Sequence, residues 1–231
     1  MPAAGVAAMQ VDVFTLFPEW FDWMRRPRHL TNADLDLRAF NYRDYTPLSA
    51  GQVDDSPYGG GPGMVLRVDV VAAALEAVYG LPATRIRTQR PVIVLSPRGR
   101  MLTDRVVREL ADAPAITLLC GRYEGFDERV HALLASDAIC MGPYVLAGGE
   151  IPAMAVVDAV GRRLPGALGN QASLEHESFS PTLAGGTEYP HYTRPAEFLG
   201  ESVPDVLLSG DHGAIARWRE AHQGPAPGRM S

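Results

Sequence analysis

The chain has 231 residues, of which 46% are hydrophobic, and this is enough for a substantial core in one or two domains. Its formal net charge of −6 argues against a protein that coats nucleic acid over its whole surface, although local arginine clusters could still hold phosphates. The sequence has no apolar run of about 18 residues, so we expect no transmembrane helix and no membrane partner.

The first part of the chain predicts strands alternating with a short helix. Residues 1–8 lack the basic start of a signal peptide and are expected to form a disordered extension. Residues 10–17 predict a strand that ends at Pro18, residues 19–24 predict a short helix, and residues 35–42 predict a second strand.

The most glycine-dense segment, residues 54–64, precedes a predicted helix at 65–79. It lacks the Gly-Lys-Ser/Thr ending of a P-loop and the glycine spacing of a dinucleotide fingerprint. Two interpretations fit this pattern. One is a flexible linker, and the other is a loop whose bare amides bind an anion or a nucleotide at a helix start.

One pattern occurs three times in the middle of the chain: a short apolar strand followed directly by a polar loop that contains glycine. Helices predicted at 103–111 and 127–134 connect these units, so the strands are parallel and their loops leave the sheet at the same edge. The sequence therefore predicts an α/β fold with a parallel sheet, and one ligand site built from three loops. The strands are 92–96, 116–120 and 138–141, and the loops are 96–100, 121–125 and 142–150.

The C-terminal part predicts helices and a linker. A helix is predicted at 152–163, with Arg162 in its last turn, where a cation is favourable in any case. Residues 167–188 are rich in Gly, Ser, Pro and acidic residues and predict a flexible linker. Two short helices are expected at 204–208 and 213–221.

The predicted domain organisation follows from these elements. Arg217 and Arg219 flank an apolar helix face, which fits either a nucleic-acid contact or a plain structural helix pair. The four segments are a disordered extension at 1–8, an α/β domain at 9–166, a linker at 167–188 and a small helical domain at 189–231.

Several chemistries are disfavoured. The six histidines show no metal-binding spacing, and there is neither a Cys-x-x-Cys pair nor a Gly-x-Ser-x-Gly elbow, so zinc and serine-hydrolase sites are not expected. Cys120 and Cys140 lie in apolar strand segments, which predicts buried free thiols and a cytoplasmic location.

Tyr123 and Tyr144 could line an adenine pocket or cap the sheet. Glu124 could accept a hydrogen bond from a ribose or an amine, or be solvated.

Six segments, in this order and spacing, carry a resemblance to a known family. They are Val-Asp-Val-Phe-Thr-Leu-Phe-Pro at 11–18, Ser-Pro-Tyr-Gly-Gly-Gly-Pro-Gly-Met at 56–64, Leu-Ser-Pro-Arg-Gly-Arg at 95–100, Cys-Gly-Arg-Tyr-Glu-Gly at 120–125, Tyr-Val-Leu-Ala-Gly-Gly-Glu at 144–150 and Tyr-Pro-His-Tyr-Thr-Arg-Pro at 189–195. Over nearly all of residues 9–220 the chain resembles the bacterial tRNA (guanine-N1)-methyltransferases of the knotted SPOUT class.

This resemblance implies S-adenosylmethionine as the methyl donor, a deep trefoil knot, and a homodimer whose active site lies at the subunit interface. The implied reaction methylates N1 of the guanosine 3′ of the anticodon in tRNA. Arg162 would assist at the guanine, and Glu177 occupies the position of the family's general base. The implied donor-binding residues are Leu95, Pro97, Gly121, Tyr123, Glu124, Gly125, Met141, Gly142, Tyr144, Leu146, Gly148 and Gly149. The implied tRNA contacts are Asp54, Gly63, Ser173, Arg217 and Arg219.

The chain departs from the family pattern at two positions. Glu177 stands in place of an aspartate, which moves the carboxylate one methylene further from the backbone. Pro143 stands where the family often has an aspartate, and it removes a backbone N–H from the predicted loop 142–150.

Two alternatives stay open on the sequence alone. One is another SPOUT enzyme that acts on ribosomal RNA or on a ribose 2′-hydroxyl and would not need the carboxylate in the linker. The other is a non-catalytic RNA-binding protein with the same fold. The sequence also leaves open whether Mg²⁺ is required and which tRNA species is modified.

Overall fold

A computed structural model describes residues 8–169 and 177–226 of the chain. The chain divides into two compact units, Met1–Gly169 and Asn170–Ser231. Ser173, one of the implied tRNA contacts, lies outside the described residues, and so do positions 1–7 of the predicted extension.

A five-stranded parallel sheet forms the centre of the first unit. The strands of this unit are β1 (Met9–Thr15), β2 (Leu35–Asn41), β3 (Asp54–Asp55), β4 (Val65–Leu66), β5 (Val92–Met101), β6 (Ala115–Cys120) and β7 (Asp137–Cys140). The order across the sheet is β2-β1-β6-β5-β7, and every neighbouring pair is parallel. Strands β3 and β4 form a separate antiparallel pair. The predicted α/β class with a parallel sheet is confirmed.

Helices connect the strands and cover the sheet. They are α1 (Arg28–Asn32), α2 (Val68–Tyr79), α3 (Ala83–Ile86), α4 (Asp104–Ala111) and α5 (Glu150–Gly161). Thr103 caps α4, because its side chain accepts a hydrogen bond from the Val106 N–H at 3.4 Å. In α4, Val106, Val107 and Leu110 are buried while Arg105 and Glu109 are exposed, as expected for a helix that packs on a sheet.

The helix predicted at 19–24 is wrong. The structure has two short 3₁₀ turns there, Pro18–Phe21 and Trp23–Arg25. Phe21 and Met24 are buried and lie three positions apart, a spacing that suits the three-residue period of a 3₁₀ helix.

Three other helices differ from their predicted bounds. The helix predicted at 152–163 runs from Glu150 to Gly161, so Arg162 follows it instead of lying in its last turn. The helix predicted at 65–79 begins only at Val68, because Val65–Leu66 is extended and pairs with Asp54–Asp55. The helix predicted at 127–134 is reduced to a π turn at Val130–Leu134, in which the Ala135 N–H donates to the Val130 carbonyl at 2.9 Å.

The sheet is buried on both faces, which explains the continuous apolar runs of its strands. Along β5, Ile93 belongs to a core cluster that includes side chains of α4 and α5, whereas Val92 and Val94 belong to a second cluster that includes side chains of α2 and α3. Because helices cover both faces, only the strand ends are left to form a site.

One carboxylate is buried inside the first unit, away from the strand ends. Asp12 is fully buried in β1 and pairs with Arg38 at 2.8 Å and with Arg90 at 3.0 Å. It also accepts a hydrogen bond from the Tyr79 hydroxyl at 2.8 Å. This pairing is what allows a charged group in the middle of the sheet.

The second unit consists of short elements. They are a 3₁₀ turn at Pro181–Leu183, the hairpin strands β8 (Glu197–Phe198) and β9 (Glu201–Ser202), and the helices α6 (Asp205–Leu208) and α7 (His212–Ala221). Both helices lie close to their predicted spans. Thr187 pairs with Gly224, so the described part of the predicted linker is hydrogen-bonded to the end of the unit.

Candidate functional site

Three loops meet around one cavity at the carboxyl edge of the sheet. They are the first loop (residues 96–100), which lies within β5, and the second loop (residues 121–125) and the third loop (residues 141–149), which follow β6 and β7. The cavity has a volume of about 330 Å³, within the range of small-molecule sites. Its lining residues are Val94, Leu95, Ser96, Pro97, Arg98, Gly121, Arg122, Tyr123, Glu124, Gly125, Phe126, His131, Ile139, Cys140, Met141, Tyr144, Val145, Leu146, Ala147, Gly148, Gly149 and Pro152.

The first loop is an interruption within β5 rather than its end. Leu95 and Arg100 both pair with Ile139, so the residues between them bulge out of the strand. Gly99 returns the chain to the sheet, and a Cβ atom there would lie 2.4 Å from the backbone of Ala138. Only glycine allows so close a return.

The glycine-rich segment 54–64 packs against the second loop. Tyr123 has a φ of 59°, in the left-handed region, and Gly125 has a φ of 98°. The Glu124 N–H donates to the Met64 carbonyl at 3.0 Å. A Cβ atom on Gly63 would lie 2.5 Å from a carboxylate oxygen of Glu124. The segment predicted as a linker or as a ligand loop therefore packs against the second loop.

The third loop crosses the start of the second loop at very short range. The Gly149 N–H donates to the Gly121 carbonyl at 2.9 Å. A Cβ atom on Gly149 would lie 2.6 Å from the Cα of Cys120, and one on Gly142 would lie 2.4 Å from the Tyr144 ring. These glycines let two backbones and one ring approach closely.

Glu150 and Arg122 form a buried ion pair next to the contact between Gly149 and Cys120. Glu150 is 1% exposed and accepts a hydrogen bond from the Thr15 hydroxyl at 2.7 Å. Its second oxygen lies 3.0 Å from the Nε atom of Arg122, but the two atoms are not aligned as a hydrogen bond, so they attract as charges. The Arg122 guanidinium lies 4.5 Å from the centre of the Phe17 ring and 5.2 Å from that of Trp20.

The two cysteines are free and buried, as the sequence predicts. Burial raises the pKa of the Cys120 thiol well above its usual value, and the nearby Glu150 carboxylate raises it further. Cys140 donates a hydrogen bond to the Gly142 carbonyl at 3.2 Å. The environment of Cys120 therefore disfavours a thiolate nucleophile.

His131 also lines the cavity, and sequence reasoning did not identify it. Burial lowers the pKa of its imidazole, although the neighbouring Glu128 acts in the opposite direction and Arg98 adds to the lowering. A neutral imidazole follows at neutral pH. The sequence carries no pattern that would reveal His131, because its place depends on the π turn at Val130–Leu134.

Most of the implied donor-binding residues come together. Eleven of the twelve line the cavity, and the exception, Gly142, packs against the Tyr144 ring instead. Gly63 contacts Glu124, and Asp54 lies in β3 beside β4. Other predicted site residues lie elsewhere: Arg162 follows the last residue of α5, and Glu177, Arg217 and Arg219 belong to the second unit.

Two features are absent from the described residues, a metal-binding cluster and a membrane-spanning helix. Within residues 8–169 and 177–226, no group of three or more histidine, cysteine or acidic side chains is placed to hold a metal ion. In the same ranges, no helix has the length and hydrophobicity needed to cross a bilayer.

The fold and the loop cavity together define an α/β protein with a cavity of small-molecule size where its parallel strands end. The family model described as "tRNA (Guanine-1)-methyltransferase TrmD" matches residues 9–225. The chain therefore belongs to this family.

Relatives across the bacteria agree with this assignment. The chain is 46% identical to the tRNA (guanine-N(1)-)-methyltransferase of Sorangium cellulosum, with 92% of this chain and 88% of the relative covered. It is 48% identical to the protein of the same name from Gloeobacter violaceus, with 93% of each chain covered. It is also 48% identical to that of Ralstonia nicotianae, with 91% of this chain and 80% of the relative covered.

Proposed function

We propose that the protein transfers a methyl group from S-adenosylmethionine to N1 of the guanosine 3′ of the anticodon in tRNA. The observation that carries this proposal is the convergence of three glycine-containing loops on one cavity in a member of this family. The free thiols of Cys120 and Cys140 support a cytoplasmic location.

The cavity suits the proposed donor in size and in chemistry. Leu95, Ile139 and Leu146 give it apolar walls for an adenine ring, while the close-packed glycines bring backbone N–H and C=O groups to its rim. When bound, the donor supplies a methyl carbon already activated by a sulfonium. The task of the loops is then to hold that carbon in line with the acceptor nitrogen.

Removing the N1 proton of guanine requires a base, and Glu177 is our candidate. A carboxylate is a weak base for so weak an acid, so negative charge on the guanine oxygen must be stabilised as the proton leaves. We assign this role to Arg162, whose charge would count most in a site closed to water. General base catalysis typically contributes about 10²–10⁴ in rate.

We further propose a homodimer in which the partner subunit supplies the base. Val145 is 84% exposed and Ile151 is 56% exposed, so the third loop and the start of α5 leave apolar surface for a second copy. The crossing of Gly149 over Cys120 supports the proposed knot, because it is a place where one loop passes tightly against another.

The proposed tRNA contacts come from several segments. Arg217 and Arg219 are exposed on α7, and the Arg219 guanidinium lies 5.0 Å from the centre of the Tyr189 ring. Their proposed role is to contact phosphates that fix the register of the RNA. Gly63 lies at the second loop, and Asp54 and Ser173 complete the proposed set. The target guanine must leave its base stack before its N1 atom can reach the methyl carbon, at a cost of a few kcal/mol.

The direct test is methyl transfer into an unmodified tRNA transcript, followed by digestion and nucleoside analysis. The proposal predicts 1-methylguanosine, and no product when the target guanosine is replaced by adenosine. A ribose-methylated product, or no transfer at all, would contradict it. Parallel reactions with EDTA and with added Mg²⁺ determine whether the metal is required.

A further inference from the structure

We propose that Glu150 is a positioning residue for methyl transfer: it holds Arg122 and thereby fixes the second and third loops relative to each other. This inference rests on the proposed function, because it concerns the shape of the cavity assigned to the donor. Glu150 itself does not line the cavity, whereas Arg122 does.

The geometry ties three separate segments of the chain together. Thr15 at the end of β1 donates to one oxygen of Glu150 at 2.7 Å, and Arg122 of the second loop faces the other oxygen at 3.0 Å. Glu150 begins α5, directly after the third loop. One carboxylate therefore connects the ends of β1, β6 and the third loop.

The third loop is wrapped closely around this pair. A Cβ atom on Gly148 would lie 2.5 Å from the Nε atom of Arg122 and 2.5 Å from an oxygen of Glu150. The guanidinium also donates to the Ala147 carbonyl at 3.4 Å. Any movement of Arg122 must therefore displace residues that form the cavity wall.

The attraction between Glu150 and Arg122 depends on both side chains being charged. Glu150 is 1% exposed and the Arg122 side chain is 18% exposed, so each ion has lost most of its hydration. A buried charge without its partner is strongly unfavourable, and the remaining ion would move toward water or toward another dipole. The aromatic rings of Phe17 and Trp20 confine Arg122 on its other sides, so its freedom to adjust is small.

Glu150→Gln is the sharpest test, since it keeps the side-chain volume and the acceptor for Thr15 but removes the charge. We expect the dissociation constant for S-adenosylmethionine to rise about tenfold, and kcat at saturating donor to fall less. Asp12→Asn is the matched control, because it makes the same carboxylate-to-amide change at a fully buried ion pair away from the cavity. It is expected to lower the melting temperature and leave donor affinity unchanged.

A double-mutant cycle with Arg122→Met tests the coupling. If Glu150 acts through Arg122, adding Arg122→Met to Glu150→Gln costs little further donor affinity. Additive losses would overturn the inference, and so would a Glu150→Gln variant that loses thermal stability but binds the donor normally. Should Glu150→Gln fail to fold, Thr15→Val removes one anchor of the carboxylate and is expected to shift donor affinity in the same direction by a smaller factor.

Amide exchange separates this inference from the proposed function. The Gly149 N–H, bonded to the Gly121 carbonyl, should exchange faster in Glu150→Gln than in Asp12→Asn, with no donor or RNA present. If the native protein methylates no tRNA but this difference is observed, the proposed function fails, while the role of Glu150 in fixing the second and third loops stands. Equal exchange in the two variants would overturn the positioning role.

Discussion

Gly149→Ala should disable the loop cavity by steric conflict alone. Gly149 has a φ of −82°, a value that alanine adopts without strain, so the substitution adds a methyl group and little else. That methyl carbon would lie 2.6 Å from the Cα of Cys120 and 2.9 Å from the backbone nitrogen of Gly121. Both neighbours are backbone atoms of the sheet edge and cannot rotate away.

The size of the effect follows from these distances. Carbon atoms pack at about 3.5–4.0 Å, so the third loop must retreat by about 1 Å. Overpacking of this kind typically costs about 1–3 kcal/mol, which corresponds to a fall of roughly 2–12 °C in melting temperature for a unit of this size. A displacement of about 1 Å in a positioning element can lower the reaction rate by about 10²-fold.

Gly169→Ala is the control, because a Cβ atom there meets no atom of residues 8–169 and 177–226 within 4 Å, and its φ lies outside the left-handed region. Calorimetry would report stability and donor affinity, and transfer of labelled methyl to tRNA would report activity. We expect Gly149→Ala to lose donor affinity and activity while Gly169→Ala behaves as the native protein. Equal behaviour of the two variants would refute the argument that the crossing of the loops shapes the cavity.

Three further predictions concern single groups. Glu177→Gln should keep donor affinity and lose turnover by about 10²–10⁴, whereas Glu177→Asp, which restores the family's residue, should stay active; full activity of the glutamine variant in a steady-state assay would place the base elsewhere. Charge reversal at Arg217 and Arg219 should weaken tRNA binding about tenfold and spare donor binding, as measured by filter binding and calorimetry; unchanged tRNA affinity would remove α7 from the RNA contact. His131 should titrate below pH 6.5 by NMR, because burial lowers its pKa. Its contribution to stability is then complete above pH 6.5 and is lost as the pH falls toward the folded-state pKa, so a value at or above 6.5 would contradict this environment.

The sheet and the convergence of the loops were predictable because they depend on local pattern. Continuous apolar runs such as those ending at Cys120 and Cys140 predict strands buried on both faces. A glycine-containing loop after each strand, together with the parallel direction of the strands, then places the loops at one edge without any knowledge of side-chain packing.

The remaining features depend on contacts between distant segments. Nothing near Glu150 in the sequence indicates that its carboxylate meets Thr15 and Arg122, because the three positions become neighbours only through the order of the strands. The bulge between Leu95 and Arg100 depends in the same way on pairing with β7. Val65–Leu66 lies in a strand because Asp54–Asp55, ten to twelve positions earlier in the chain, offers it backbone partners that the sequence pattern does not reveal.

The most direct measurement is a crystal structure of the protein with S-adenosylhomocysteine, the product of the proposed donor. We expect the adenosyl group between the first, second and third loops, against Leu95, Tyr123 and Leu146, with the homocysteine sulfur facing Arg162 and the partner subunit's Glu177. A ligand bound at another edge of the sheet, or a monomer whose loop cavity stays empty at saturating ligand, would contradict the central claim that these loops hold the methyl donor.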